Sequence, residues 1–548
     1  MKKISLLLAA WLCLQAPKAV AQMNVVAESE TFQEYESGHL KIVILKNKET
    51  ALLHFNNHRS IDWKMYDAAH KLKFEKSIKP ATPYKMKGGE VLGVFETTEG
   101  ITAIYSSYNH RVPTLNRLVL DPATGEVKQD QVIAKLKRMR FFDGYAMAFG
   151  GVPLPEFFLN LDEETGCYAV AQYNTFESDR NRRIQVVHYN NSNKEIARAY
   201  YQSPKNKYKY MEFLDLATIG SKEVVVSVLG RNTVASGGDK AGILLMGSLK
   251  AGAKAFDMQK VNYNAGRPSK IKAALTRYNP HTGDIYLLTL ESAGQKKSMM
   301  QFRSQLSIID ADWHINSRMV TTKKIQDLTK KHYKKENTFL AVPQNLYVNK
   351  DGGFSVLFEE QKIVTTNTST GSGSGFSTKT RTTCTMGDIG VQRYDREGNE
   401  QSVYYIPKSH YYGTLIPDYM YNAKVQQCGV RLHWGYQFKS FAYVPVGERG
   451  YVLFNDIERN AKKVEKKREV STVSAAGDLE AFVFDLNEQN AVPVRKQIFA
   501  AEGKNDRSLG LFNGSNYNAA HKLMTVVVTQ PRTKDARNNT KVVWLSVD

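Results

Sequence analysis

Residues 345–359, NLYVNKDGGFSVLFE, hold the local grammar that the rest of the chain repeats. Leu346, Tyr347 and Val348 form a short β-rich run, Asn349-Lys350-Asp351-Gly352-Gly353 is turn chemistry, and Phe354 to Phe358 is a second β run. Asp-Gly and Gly-Gly between two such runs signal a hairpin, because glycine enters the positive-φ region without steric cost. A second module follows: alternating residues ending in Asp or Asn, a polar turn, then another strand. Val391 to Asp395 (VQRYD), the turn Arg396 to Glu400 and the run Ser402 to Ile406 are its clearest instance. Hairpin and module together predict a four-stranded antiparallel sheet.

Toward the N-terminus the same pattern gives Leu40–Leu45, Thr50–Phe55, Ile61–Asp67 and Leu72–Ile78, then Val91–Phe95, Thr102–Tyr108 and Arg117–Asp121. It returns at Phe157–Asn160, Tyr168–Tyr173, Ile184–Asn190 and Glu195–Tyr201, at Met211–Leu216, Glu223–Gly230 and Gly242–Gly247, and at Ile271–Tyr278, Ile285–Glu291 and Gln305–Asp310. Toward the C-terminus come Phe441–Val446, Tyr451–Asn455 and Ala481–Asp485, and finally Lys522–Thr529 and Val542–Asp548. Eight strands therefore end in a comparable turn, at Asp67, Asp121, Asn190, Gly247, Asp310, Asp395, Asp485 and Asp548. The last repeat lacks a fourth strand, while Met23 to Glu30 is a spare strand at the opposite end. Pairing the two would close a ring and cover an open sheet edge. This grammar resembles the β-propeller superfamily, without recurring Trp-Asp blade ends or a kelch double-glycine pattern. The resemblance implies an all-β propeller of eight blades, closed by the N-terminal strand. Seven blades is the alternative count, because GILLMG at 242–247 is the weakest repeat, and tandem β-sandwich domains are the rival architecture.

The first residues stand outside this pattern. Lys2 and Lys3 precede an apolar run from Ile4 to Leu14, and Ala19-Val20-Ala21 is a small-x-small cleavage site. Residues 1–21 thus read as a secretory signal peptide, and the apolar run is too short to span a bilayer. Residues 22–548 are then a single exported propeller domain of the periplasm or cell surface, with peripheral membrane attachment as a further option. Loss of Lys2, Lys3 and Lys18 with the leader lowers the formal charge from +21 to +18. Such an excess favours an anionic glycan, an anionic lipid surface or an acidic envelope protein as partner. Nucleic acid is not expected for an exported chain with no recognisable nucleic-acid module. Of the cysteines that remain, Cys384 and Cys428 fall within one repeat's span and form the expected disulfide, with Cys167 left over.

Four segments interrupt the repeats, near 322–337, 365–385, 404–441 and 458–472. TKKIQDLTKKHYKKEN (322–337) reads as a short amphipathic helix or basic connector, the Ser/Thr/Gly-rich stretch 365–385 as a projecting hairpin, and NAKKVEKKRE (460–469) as a solvated hairpin tip or helix. The segment 404–441 is the most suggestive, because a connection this long and this aromatic is neither ordinary nor disordered. Its Tyr411, Tyr412, His433, Trp434 and Tyr436 are the candidate ligand- or partner-binding residues, with Lys408, Lys424 and Lys439 adding attraction for anions.

Catalytic signatures are missing: there is no His-Glu-x-x-His, Gly-x-Ser-x-Gly, Walker loop or Cys-x-x-Cys. Gly371-Ser372-Gly373-Ser374-Gly375 lacks the strand-to-helix context of a phosphate loop. His54 and His58 lie on a strand running into a loop, too far apart for one zinc ion, and read as surface histidines. Glu163/Glu164 and Glu359/Glu360 are adjacent, so each pair points apart, whereas glycosidase carboxyls must face one bond. No metal and no cofactor are expected. The sequence therefore favours a non-catalytic binding or scaffold protein of the bacterial cell envelope. The alternative is a carbohydrate-active enzyme, a glycoside hydrolase or lyase, with carboxyls from different repeats meeting on one propeller face.

Overall fold

The Asp or Asn that closes most third strands has a mechanical role in the computed structural model. Asp67 Oδ1 accepts the backbone N–H groups of Ala69 and Lys71, and Asn190 Oδ1 those of Ser192 and Lys194. Asp310 does the same for Asp312 and His314. The residue three positions on takes positive φ in each: His70 at 65°, Asn193 at 61°, Trp313 at 63° and, after Asp395, Gly398 at 79°. The short side chain thus replaces a strand partner for backbone groups that the tight turn strands. The structure describes residues 23–547 except 58, 83, 141–142, 145–146, 148–151, 233–241, 297–298, 335–338, 373–374, 448, 487–490, 500–506 and 532–537. The expected leader at 1–21 and the turn residue Asp548 lie outside the described residues.

The fold is an all-β propeller type built from antiparallel sheets. Among the described residues the strands form seven antiparallel sheets of four to nine strands, the nine-stranded one holding two successive groups; numbered in chain order as units 1 to 8, the groups begin at Gly38, Val91, Glu156, Tyr210, Ile271, Ala341, Ala442 and Leu509. Units 5 and 6 are joined into one sheet by a single pairing, Met299 with Val364. The first strands of units 1 to 6 touch in succession, so they are the innermost ones. The last unit takes its fourth strand from the N-terminus. Met23–Glu28 runs antiparallel to Asn539–Val547, with Val25 opposite Leu545 and Glu28 opposite Val543.

Apolar residues on both faces of each sheet explain why the units stack. Trp63 and Phe55 of unit 1 meet Val94 and Tyr105 of unit 2, and Ala171 and Val186 of unit 3 meet Leu216 and Val226 of unit 4. Trp544 of unit 8 packs with Leu40 and Ile42 of unit 1, and its Nε1 donates to Thr50 Oγ1 at 3.0 Å. A central sheet buried on both faces reads as continuous hydrophobic runs, which is the pattern of VVVSVL at 224–229. Tandem sandwiches are thereby excluded as the architecture: each unit is packed against the next along the chain, and the last against the first.

Several expectations need correction. The third strand of unit 4 runs through Gly247 to Lys250, so its turn is Ala251-Gly252. His54 is not a surface residue: it is 4% exposed, with Nδ1 paired to Asp62 and Nε2 to the Ser37 carbonyl. His58 lies outside the described residues. The Cys384–Cys428 disulfide does not form, and among the described residues Cys167, Cys384 and Cys428 are free. Cys384 sits mid-strand, packed with Met386 and Tyr412, whereas Cys428 ends a helix inside the ring of first strands, so the two thiols belong to different clusters. The segment 322–337 contains the helix Lys323–Tyr333, which buries Ile325 over units 5 and 6. Residues 365–385 are the outer part of the long hairpin Phe354–Ser372 and Gly375–Tyr394. The charged insertion holds the helix Glu458–Glu465.

Candidate functional site

The connection between units 6 and 7 leaves the sheet at Ile406 and returns at Ala442. In between it crosses the inside of the ring. The helix Tyr421–Gln427 is followed by the strand Val430–Leu432, which pairs with the first strand of unit 1, Val430 opposite Leu40. Gly429 lets the chain pass unit 2: its N–H donates to the Val91 carbonyl at 2.8 Å, and a Cβ there would meet Val91 Cβ at 2.8 Å. Gln426 is the hub of this crossing. Its carbonyl accepts from Lys41 Nζ of unit 1 at 2.6 Å, and its side-chain oxygen accepts from Asn345 Nδ2 of unit 6 at 2.9 Å. Asn345 in turn accepts from Arg277 of unit 5.

On the side of units 2 to 5 the crossing leaves a cavity of about 720 Å³. Its walls are the beginnings of the first strands: Val91 and Leu92, Glu156 to Asn160, Glu212 to Asp215, and Lys272 to Leu275 with Arg277. The remaining wall is the connection itself, with Asp418, Lys424, His433 and Tyr436. Glu90, Glu156, Asp215 and Asp418 thus bring carboxyls from three repeats and the crossing to one space.

Their environments differ. Burial pushes the Glu156 carboxyl up to about 7, with Lys424 opposing and Glu90 and Asp418 reinforcing. Asp215 is raised to about 6 by burial, against the pull of Arg277, whose Nη1 lies 3.7 Å from Oδ2, and of the Thr276 N–H that donates to that oxygen at 2.6 Å. Glu90 is also raised, mainly by desolvation. Burial alone would lower Lys424, but Asp418, Glu156 and Glu90 outweigh it and raise it, and Nζ is 3.2 Å from Asp418 Oδ2. His39, at the same wall, is lowered to about 4 by burial and is neutral near pH 7. Both carboxyls are raised by burial, and only Asp215 has a cation and a backbone N–H beside it to favour its charged form.

The aromatic residues singled out from the sequence separate into groups. Tyr412, Tyr436 and His433 line the cavity. Tyr436 lies 5.7 Å from Tyr412 and 5.9 Å from His433, and Trp434 stacks on His433 at 4.8 Å. Trp434 does not line the cavity; it is 88% exposed and forms the outer end of this row. Tyr411 is not brought to the cavity at all: its carbonyl accepts from Lys439 Nζ. Lys439 holds the row in place, with Nζ 4.6 Å from the Tyr436 ring centre and 5.6 Å from that of Tyr412. The carboxyls were missed. Glu156 is the first residue of its unit's inner strand, Glu90 directly precedes that of unit 2 and Glu212 is the third residue of that of unit 4. Aligning the repeats on their first strands points to Glu90 and Glu156, but not to Asp215 or Asp418. Among the described residues, no group of three or more His, Cys, Asp or Glu is placed to hold a metal ion.

No family model matches the chain, and no curated protein matches it by sequence. Similar solved structures include a polysaccharide lyase, Uly1, at 7% identity, covering 96% of this chain and 100% of that one with a TM-score of 0.36. An endo-arabinanase from Bacillus licheniformis covers 52% of this chain and 99% of its own, at 11% identity and TM-score 0.24. A Hadza microbial sialidase covers 69% of each chain, at 8% identity and TM-score 0.28. The non-catalytic scaffold expected from the sequence is corrected here. The face that a scaffold would leave flat or sealed holds a carboxyl-lined cavity.

Proposed function

We propose that the chain is an exported carbohydrate-active enzyme that cleaves glycosidic bonds in the cavity between units 2 to 5 and the crossing connection, within a closed ring of eight blades. The observation that carries this reading is the convergence of Glu156 and Asp215, from successive first strands, in one cavity beside a row of aromatic rings. Glu156, protonated near neutral pH, donates its proton to the leaving glycosidic oxygen as the C–O bond breaks. Asp215, the more readily ionised of the two, takes the proton of the attacking water, and Arg277 and the Thr276 N–H hold its carboxylate in place. His433, Tyr436 and Trp434 offer flat faces on which sugar rings stack. No helix among the described residues is long and apolar enough to cross a membrane.

A panel of neutral and acidic polysaccharides, followed by release of reducing ends, tests the proposal. At least one polymer is expected to be cut by the native protein. Glu156→Gln and Asp215→Asn are each expected to lower that rate by about 10²–10⁴-fold. Cleavage that survives both substitutions at the native rate would refute the assignment.

A further inference from the structure

A second pocket, of about 690 Å³, lies where units 1 and 2 meet the crossing strand. Arg59, Lys85, Lys87 and Arg431 line it with the amides Asn57 and Asn109, and no carboxylate is among its lining residues. Arg59 comes from a turn of unit 1, Lys85 and Lys87 from the link between units 1 and 2, and Arg431 from the strand paired with unit 1. The pocket is held in shape by Tyr84, whose hydroxyl donates to the Asn56 carbonyl at 2.8 Å and so ties the link to the turn. Among the described residues none of the four cations has a carboxylate within 4.0 Å, whereas elsewhere Lys64, Lys73 and Arg198 are paired. The nearest compensation is Glu90, which feels Arg431 across the boundary between the two spaces.

That boundary is the important feature. Arg431 lines both the basic pocket and the carboxyl-lined cavity, and Gly88 and Gly89, next to Lys87 in the chain, also line the cavity. All four cations are exposed, so an anion entering this concave space would meet them without first displacing a carboxylate partner. Each space falls within the range usual for a small-molecule site, so the two together suit an extended polymer better than a single sugar. The guanidinium groups of Arg59 and Arg431 can each offer two N–H donors to a pair of oxygens on a carboxylate or sulfate group.

We propose that the basic pocket is a subsite for an anionic polysaccharide, taking its carboxylate or sulfate groups while the chain continues past Arg431 into the cavity. This deepens the enzymatic reading and rests on it for the location of the scissile bond.

Titration calorimetry of the full chain with oligogalacturonate, with sulfated chondroitin oligomers and with neutral galactan oligomers tests it. An acidic oligomer is expected to bind more tightly than the neutral one and to weaken as salt is raised. The double variant Arg59→Ala/Lys87→Ala is expected to weaken that binding about tenfold and to reduce its salt dependence, with an unchanged melting temperature. Arg59→Lys/Lys87→Arg, which keeps the charge, is expected to restore most of it. Equal binding of acidic and neutral oligomers, or acidic binding untouched by the alanine pair, would overturn the subsite. Binding to anionic phospholipid vesicles without binding to any acidic oligomer would overturn it too. The two readings fail separately. If Glu156→Gln cuts at the native rate while the alanine pair loses acidic binding, the subsite stands and the catalytic assignment falls. If Glu156→Gln abolishes cleavage while the alanine pair binds normally, the reverse holds.

Discussion

Replacing Glu156 by Gln perturbs the cavity with little change of shape and has a readout independent of any substrate. Burial lifts this carboxyl from its ordinary 4.5 to about 7, a difference worth about 3 kcal/mol at ~1.4 kcal/mol per tenfold change in proton affinity. The direction is fixed by linkage: an acid raised on folding binds its proton more tightly in the folded chain. Its contribution is therefore whole below pH ~4.5, declines as pH rises, and is lost above about 7. Relative to the native protein, Glu156→Gln should thus gain up to about 3 kcal/mol between pH ~5 and ~8, with solvent in the cavity reducing the figure. Paired denaturation curves at the two pH values give this difference, because groups common to both proteins cancel. Carbon NMR of glutamate-labelled protein is the direct assay. One side-chain resonance should titrate near 7 in the native chain and be absent from the variant. A Glu156 midpoint below ~5, or a stability difference that does not change with pH, would show that the cavity does not hold a proton there, and the proposed acid would be lost with it.

Trp544→Ala removes a fully buried side chain, and its hydrogen bond to Thr50, from the seam between units 8 and 1. It should cost about 3–5 kcal/mol by chemical denaturation, and a loss under ~1 kcal/mol would mean that this seam contributes little. Lys408 and Glu359 form a buried pair with side chains 0% and 6% exposed. Lys408→Ala leaves the carboxylate unpaired and should cost about 3–5 kcal/mol, whereas Lys408→Met with Glu359→Leu should recover most of that. The three thiols are free, and burial pushes those of Cys384 and Cys428 up to about 12. Reductant should therefore leave the melting temperature unchanged, and folded protein should react with a thiol reagent far more slowly than unfolded protein. A drop in melting temperature on reduction would reveal a disulfide.

The repeating sheets were legible because their signals are local. A turn such as Asp310-Ala311-Asp312-Trp313 has its chemistry within four residues, and Asp310 closes it whatever the rest of the chain does. The pairing of the two terminal strands was legible too, since a unit one strand short and a spare strand at the far end have only one economical partner each. The aromatic connection was visible by composition, but its faces were not. Tyr411 and Tyr412 are neighbours on the short strand His410–Gly413, and successive side chains on a strand point opposite ways. Only Tyr412 can share the side of Cys384 and Met386 and reach the cavity. Which of the two would do so depends on the pairing of Thr385 with Tyr411, a register set about twenty-five residues away in sequence.

The carboxyls were illegible for a deeper reason. Glu156 and Asp215 stand at different positions of successive first strands, and Asp418 on the connection, so no one spacing rule relates all three. What relates them is the ring, which carries the beginnings of first strands to one end of one space. The same geometry sorts the charge. An excess of +21 in the full chain says only that cations outnumber acids. Folding places Glu90, Glu156, Asp215 and Asp418 on one side of Arg431, and Arg59, Lys85 and Lys87 on the other. A neutral ligand would gain nothing from that division, whereas a polymer with acidic groups spaced along it would be drawn by the cations and presented to the acids. Specificity for such a polymer would then reside in residues of units 1 and 2 and the crossing strand, and cleavage in residues of units 3 and 4, so that the two should be separable by mutation.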